Sequence, residues 1–236
     1  MGGTPPRAQL AGAMPYYALL DPTGDESYDL FLLCKAKKYK SFLLGTFYLP
    51  RRARLTPVFK IPWEVSDDVF EEVPSAEVED AFKMVCVSCG RCCALNSGAF
   101  AFEDEIAPVL EKLRQGGLPS RSVSVHRVGT VKLYDLAVGP GGSCAFYTPE
   151  GCEIELKLSR RSKPIICLIQ YCSLFAERRG EPHVKVAVER VKGKPIPVYQ
   201  RVAESELERI AERERARVRE IHRKLARGSG KPAGSL

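Results

Sequence analysis

No run of about 18 apolar residues occurs in this 236-residue chain, so no segment reads as a membrane-spanning helix. Catalytic signatures are equally scarce. There is no glycine-rich phosphate loop, no His-Glu-x-x-His, no Gly-x-Ser-x-Gly and no dinucleotide fingerprint. The cysteine spacing of radical S-adenosylmethionine chemistry, three residues and then two, is absent as well. Histidine occurs three times, at His126, His183 and His222, away from the cysteine motif, and each reads as a surface or packing residue. The single tryptophan, Trp63 beside Pro62, reads as core.

Composition sets the scale of what remains. A hydrophobic content of 44% and a charged content of 28% are those of a globular protein with one ordinary core, or a core plus a small metal-stapled lobe. The net charge of +7 is mild, and part of it is local: residues 201–236 hold ten Lys/Arg against six Glu. Such an excess permits an acidic partner or nucleic acid without demanding one. Ala8 to Leu20 faintly imitates a signal peptide, but Pro15, Tyr16 and Tyr17 interrupt it. The expected location is therefore the cytoplasm, with no membrane contact.

What the chain has in quantity is clustered cysteine. Eight of its nine cysteines form one constellation: Cys86-Val-Ser-Cys89-Gly-Arg-Cys92-Cys93, then Cys144, Cys152, Cys167 and Cys172. Thiolates bind zinc and iron tightly, and a two-residue spacer lets neighbouring cysteines face one centre without straining the backbone. A disulfide framework is the rival. It fits poorly with a reducing compartment, and adjacent Cys92 and Cys93 sit too close for easy disulfide geometry. All eight are therefore candidate ligands for a soft centre: an iron–sulfur cluster (favoured, 4Fe–4S), Zn²⁺ or Cu(I). Two four-thiolate centres, one cluster with spare thiols, or a bridged dinuclear site would each use these counts. Cys34, in the apolar stretch Leu32-Leu33-Cys34, reads instead as a small core residue.

Gly90 lets the first knuckle turn sharply, and Arg91, Arg160, Arg161 and Lys163 are the cations at hand to offset thiolate charge. The fold class expected around this lobe is α+β, with antiparallel strands and few helices. Residues 1–14 read as a flexible start, 15–80 as strand-rich, 81–175 as the cysteine region and 176–200 as strands completing the domain. An amphipathic charged helix over 201–227 and a flexible tail at 228–236 follow.

Within that plan Tyr28–Cys34 and Ser41–Tyr48 read as strands joined by a hairpin at Lys35–Lys40, with a third strand over Pro57–Ile61. Ser75–Met84 reads as a short helix. Glu103–Gln115 reads as a longer one, stopped by Gly116-Gly117. Ser122–Val128 with Thr130–Leu136, and Val184–Glu189 with Ile196–Gln200, read as hairpins turned at Gly129 and Gly193. In the last helix Ser205-x-x-Glu208 suits a capping box, and Leu207, Ile210, Val218, Ile221 and Leu225 share one face. That helix is a packed surface element, or a contact for RNA or a protein partner.

From Cys86 to Cys93, with Gly90, the chain resembles the zinc- or iron-chelating CxxCxxCC cysteine-cluster family, also called YkgJ-like. Cys144-Ala145-Phe146, Gly151-Cys152-Glu153-Ile154 and Lys163-Pro164-Ile165-Ile166-Cys167 are similar to that family's later steps, over about residues 84–175. Ala145 and Lys163 depart from its usual Pro and Arg, and the interval from Cys152 to Cys167 is longer. A related group is similar to flagellin lysine methylases, which implies S-adenosylmethionine as a further cofactor, although no methyl-donor motif is present. The function expected is metal binding with a structural role, or with redox or methyl-transfer chemistry if a spare cysteine leaves an iron corner open. The alternative is a zinc-stapled module that binds RNA or a protein.

Overall fold

The computed structural model describes residues 14–95, 99–116, 123–170, 172 and 174–228. The expected flexible start (except Met14), Gly117, Ser122 and the tail beyond 228 lie outside them.

Strand β1 (Tyr16–Leu19) is followed by helix α1 (Glu26–Lys38), where a strand and a hairpin turn were expected. The local chemistry explains the helix. The Asp25 carboxylate accepts the Tyr28 N–H at 2.8 Å as an N-cap, and Lys35, Lys37 and Lys38 occupy the last turn, where the helix dipole favours cations. Asp29 accepts the N–H groups of Thr23 at 2.7 Å and Gly24 at 3.1 Å, fixing the entry loop. A short apolar run such as Leu30–Cys34 does not by itself distinguish strand from helix.

Strands β2 (Leu43–Leu49), β3 (Arg54–Lys60) and β4 (Phe70–Val73) follow. The expected helix over Ser75–Met84 divides into α2 (Ser75–Glu79) and β5 (Phe82–Met84). The cysteine region begins with α3 (Arg91–Ala94), β6 (Phe100–Phe102), α4 (Glu103–Gln115), β7 (Ser124–Val128) and β8 (Val131–Asp135). It continues with β9 (Tyr147–Thr148), β10 (Gly151–Cys152), α5 (Glu153–Lys157) and α6 (Ile165–Ile169). Strands β11 (Phe175–Arg178), β12 (Glu181–Val191) and β13 (Lys194–Arg201) precede the closing helix α7 (Glu204–Gly228).

The class is α+β. An eight-stranded sheet runs in the order β13-β12-β11-β5-β2-β3-β1-β4, every pairing antiparallel. Strands β5 and β11 are neighbours in its middle, so residues 85–174 leave the sheet at Met84 and return to it at Phe175. The Val85 N–H closes that gate by donating to the Phe175 carbonyl at 3.1 Å.

Alternate residues of the sheet serve two faces. Tyr17, Leu19, Phe59 and Ile61 pack with Leu30 and Leu32 of α1 and with Ile165 of α6. Ala18, Phe47, Leu49 and Val58 pack on the other face with Val78 of α2. Trp63, expected in the core, is instead 50% exposed at a loop, its ring edge-on to Phe42 at 5.1 Å. A third core lies inside the cysteine region, where Ile106 and Val109 of α4 meet Leu136, Phe146 and Ile154.

Helix α7 starts two residues earlier than a Ser205 cap would require. The Ala203 carbonyl accepts the N–H groups of Glu206 and Leu207, both at 3.0 Å, so Ser205 lies in the first turn and the capping box is not formed. The ion pairs expected along its surface are present: Glu212–Arg215 at 2.8 Å, Glu214–Arg217 at 3.6 Å and Glu220–Lys224 at 2.7 Å.

Candidate metal centre

The first knuckle is built from two residues of left-handed backbone, Ser88 at φ 53° and Gly90 at φ 76°. Gly90 has a second reason to be glycine: a Cβ there would stand 2.8 Å from Cε2 of Tyr147. Tyr147 belongs to the second half of the cysteine region, so the glycine serves both the turn and the docking of that half. The Gly90 carbonyl then starts α3 by accepting the Ala94 N–H at 2.8 Å, placing Cys92 and Cys93 on a single helical turn.

Backbone hydrogen bonds join the halves. The Cys144 N–H donates to the Cys93 carbonyl at 2.7 Å, and β9 and β10 pair Cys152 opposite Tyr147. Cys167 rides on α6, whose first N–H, that of Ile165, donates to the Glu105 carboxylate at 2.8 Å. The Glu105 side chain is only 5% exposed and also accepts from Lys40 Nζ at 2.9 Å. Nothing in the local sequence singles out this positioning carboxylate from Glu103 and Asp104 beside it in the first turn of α4. Its sixty-residue reach to Ile165 is a tertiary event.

The eight cysteines fall into two adjoining sets. The Cys93 thiol contacts both Cys144 and Cys152, and Cys167 lies within electrostatic reach of Cys93 and Cys152. All four belong to the apolar core of the lobe. On the other side Cys89 contacts Cys172, and the charges of Cys86 and Cys89 reach Cys92. Adjacent Cys92 and Cys93 thus fall on different sides. Cys92 and Cys167 are within electrostatic reach of each other, so the two sets border one another. Every cysteine is a free thiol, and Cys34 stands apart, half-buried against the core under α1.

Electrostatics differ between the sets. The hydrogen bond from Cys172 lowers Cys89 to about 6, with the Arg91 N–H also donating to its sulfur, and correspondingly raises Cys172. In the apolar set the contact with Cys93 and then burial raise Cys152, while burial first, and then the neighbouring charge of Cys152, push Cys167 up to about 12. Those thiols hold their protons until a cation replaces them. Lys163, buried and bonded to Glu155, lies within electrostatic reach of Cys152. Burial disfavours its charge, but Cys152, Glu155 and Cys86 together hold its pKa above the ordinary lysine value.

The donor chemistry of this lobe fits a thiophilic metal. Backbone N–H groups point at sulfur, from Phe146 to Cys144 at 3.5 Å and from Leu174 and Phe175 to Cys172. The sulfurs meet in pairs and a short chain: among the described residues no three Cys, His, Asp or Glu side chains converge as a ready cation site.

Helix α7 straps the lobe. Arg215 donates to the Val87 carbonyl at 3.2 Å and Arg91 pairs with Glu214 at 3.4 Å. A Cβ on Gly141 would stand 2.9 Å from Leu225 Cβ. His222, which sequence reading set away from the cysteines, packs on the surface of their lobe. Its Nε2 is 3.2 Å from the Ser143 hydroxyl, beside Cys144, and its ring meets Tyr147 at 4.7 Å. His126 is exposed, and His183 packs on Phe82 at 5.1 Å. Among the described residues no helix is long and apolar enough to cross a membrane. Compared with protein-family models, curated proteins and solved structures, the chain matches none.

Proposed function

We propose that the lobe is a thiolate metal centre, carrying an iron–sulfur cluster or zinc. One observation carries the reading: eight cysteines spread over 87 residues of chain gather in two bordering sets, with backbone N–H groups and buried Lys163 directed at them. Cys93, Cys144, Cys152 and Cys167 would hold one centre, and Cys86, Cys89, Cys92 and Cys172 a second or its open corner. A bound cluster would supply electron transfer or a Lewis-acidic iron, and zinc would supply cross-linking alone. The chain's own groups exclude water with Phe146 and Ile154, orient sulfurs through N–H donors, and offset thiolate charge with Lys163 and Arg91. S-adenosylmethionine has no binding motif here, so methyl transfer belongs to the proposal only through the family resemblance.

The strap supports a second reading, a zinc-stapled interaction module. With its inner face spent on the lobe, α7 presents Arg209, Arg213 and Arg217 outward, to a protein or RNA partner. The expected location remains the cytoplasm, where thiols stay reduced.

Anaerobic purification from cells supplied with iron and zinc, followed by metal and acid-labile sulfide analysis and a visible spectrum, separates the readings. Iron, sulfide and a brown colour support a cluster. A colourless protein with stoichiometric zinc supports the module. Protein free of both metals overturns the metal centre.

A further inference from the structure

Beside the cysteine lobe lies a cleft of about 810 Å³, walled by the end of α1, strand β2, β5 and the 3-10 turn at Arg160–Ser162. Six cations line it: Lys37, Lys38, Lys40, Lys83, Arg160 and Arg161. No carboxylate does so among the described residues. Three of the six are balanced from behind, Lys37 by Asp104 at 2.7 Å, Lys40 by Glu105 at 2.9 Å and Arg160 by Glu155 at 3.7 Å. Lys38, Lys83 and Arg161 form no ion pair among the described residues.

The position of Lys83 is built into the sheet. Gly45 interrupts the register of β2 with a bulge at φ 142°, and a Cβ there would stand 3.3 Å from Lys83 Cε. The glycine leaves room for the lysine stem to cross the strand. The walls between the cations are apolar, made by Leu44, Met84 and Leu168, and Ser41 and Gln170 add polar groups. A volume of this size, apolar walls and a few directed charges are the properties of a small-molecule site rather than of a flat polyanion track. Like charges gathered without partners repel one another until an anion neutralises them.

We propose that this cleft binds an organic polyphosphate of nucleotide size, its phosphates on Lys38, Lys83 and Arg161 and its body on Leu44, Met84 and Leu168. Cys86 and Cys172 line the same cleft, so the bound molecule lies against the cysteine lobe. Binding rests on the cations and requires no metal. The surplus positive charge disfavours S-adenosylmethionine, which is itself a net cation.

Isothermal titration of the full chain with ATP, inorganic tripolyphosphate, adenosine and a single-stranded oligoribonucleotide tests the assignment, on protein of known metal content. ATP should bind, tripolyphosphate about tenfold more weakly for want of the apolar body, and adenosine not measurably. Lys83→Met, which keeps the stem, and Arg161→Glu should each weaken ATP about tenfold or more. Arg209→Glu on α7 serves as a distant charge control and should leave binding unchanged. Thermal melts identify any variant that fails to fold, and Lys38→Gln, at an exposed position, then serves in its place. Absence of ATP binding overturns the proposal, and so does equal binding by Lys83→Met and Arg161→Glu. Tighter binding of the oligoribonucleotide than of ATP overturns it in favour of a nucleic-acid strand. None of these outcomes bears on the metal centre, which the metal and sulfide analysis decides separately.

Discussion

The sheet and the cysteine lobe hold themselves together in different ways. The sheet buries large side chains on both faces, with Phe59, Leu49, Val58 and Ile61 inaccessible between α1 and α2. The lobe's own core is smaller, and its cysteine-bearing elements, α3, β10 and α6, are two to five residues long. Such pieces are too short to be stable alone. They lean on the lobe's apolar core, on the α7 strap and on buried Glu105. Burial against long elements therefore suffices for one region, while the other is tied in by contacts between distant segments, to which the proposed metal would add cross-links.

Predictions follow from that contrast, the largest effect first. Phe59→Ala should destabilise the whole protein by about 3–5 kcal/mol, measured by urea unfolding, because it empties the apolar core of the sheet. Metal content per folded molecule should not change. If metal were lost in proportion, the two regions would not be separable.

Cys93→Ser removes the thiol that touches both Cys144 and Cys152. It should abolish metal retention at the apolar set and open residues 85–174 to limited proteolysis, with the sheet still protected. Retention of full metal would place the centre elsewhere among the eight.

Glu105→Ala leaves the Ile165 N–H without its partner and should cost about 1–3 kcal/mol. Hydrogen exchange should show loss of protection at α6 before any loss in β2 or β3. Equal loss across the sheet would mean that α6 belongs energetically to the sheet.

His222→Ala, which cuts one contact of the strap, should cost about 1 kcal/mol and loosen the 139–147 segment first. If α7 alone frayed, the strap would not be what holds the lobe.

The smallest effect concerns the sheet side and pH. Asp67 is held below the ordinary carboxylate range, first by its hydrogen bond from Lys35 and also by that from Tyr39 at 3.0 Å. A carboxyl depressed in the folded state contributes stability above its unfolded pKa. That contribution is lost as the pH falls through the folded value. Asp67→Asn should therefore melt slightly lower than the parent at neutral pH, and the gap should close in acid. A gap independent of pH would assign the effect to packing.

Where sequence reading succeeded, the signal was local. The boundaries of α4 follow from three acids at Glu103–Glu105, a repeating apolar face and Gly116. The β12–β13 hairpin follows from alternation around Gly193, and its turn has positive φ at both Lys192 and Gly193. Where it failed, the deciding partner was remote or ambiguous. Tyr28–Cys34 is apolar enough for a strand, yet the Asp25 cap and the packing of Leu30 and Leu32 on the sheet make it helical. Trp63 looks like core by composition, but its loop leaves half of it in solvent.

The sequence by itself determined the α+β class, the clustering of thiols and the charged closing helix, because spacing and periodicity are written along the chain. Only the tertiary structure decided which cysteines neighbour which, that Glu105 seats α6, that His222 joins the lobe, and that six cations from three separate stretches share one cleft. Each of these is a meeting of residues far apart in the chain. Such meetings are selected by the packing of whole elements, which no local pattern encodes.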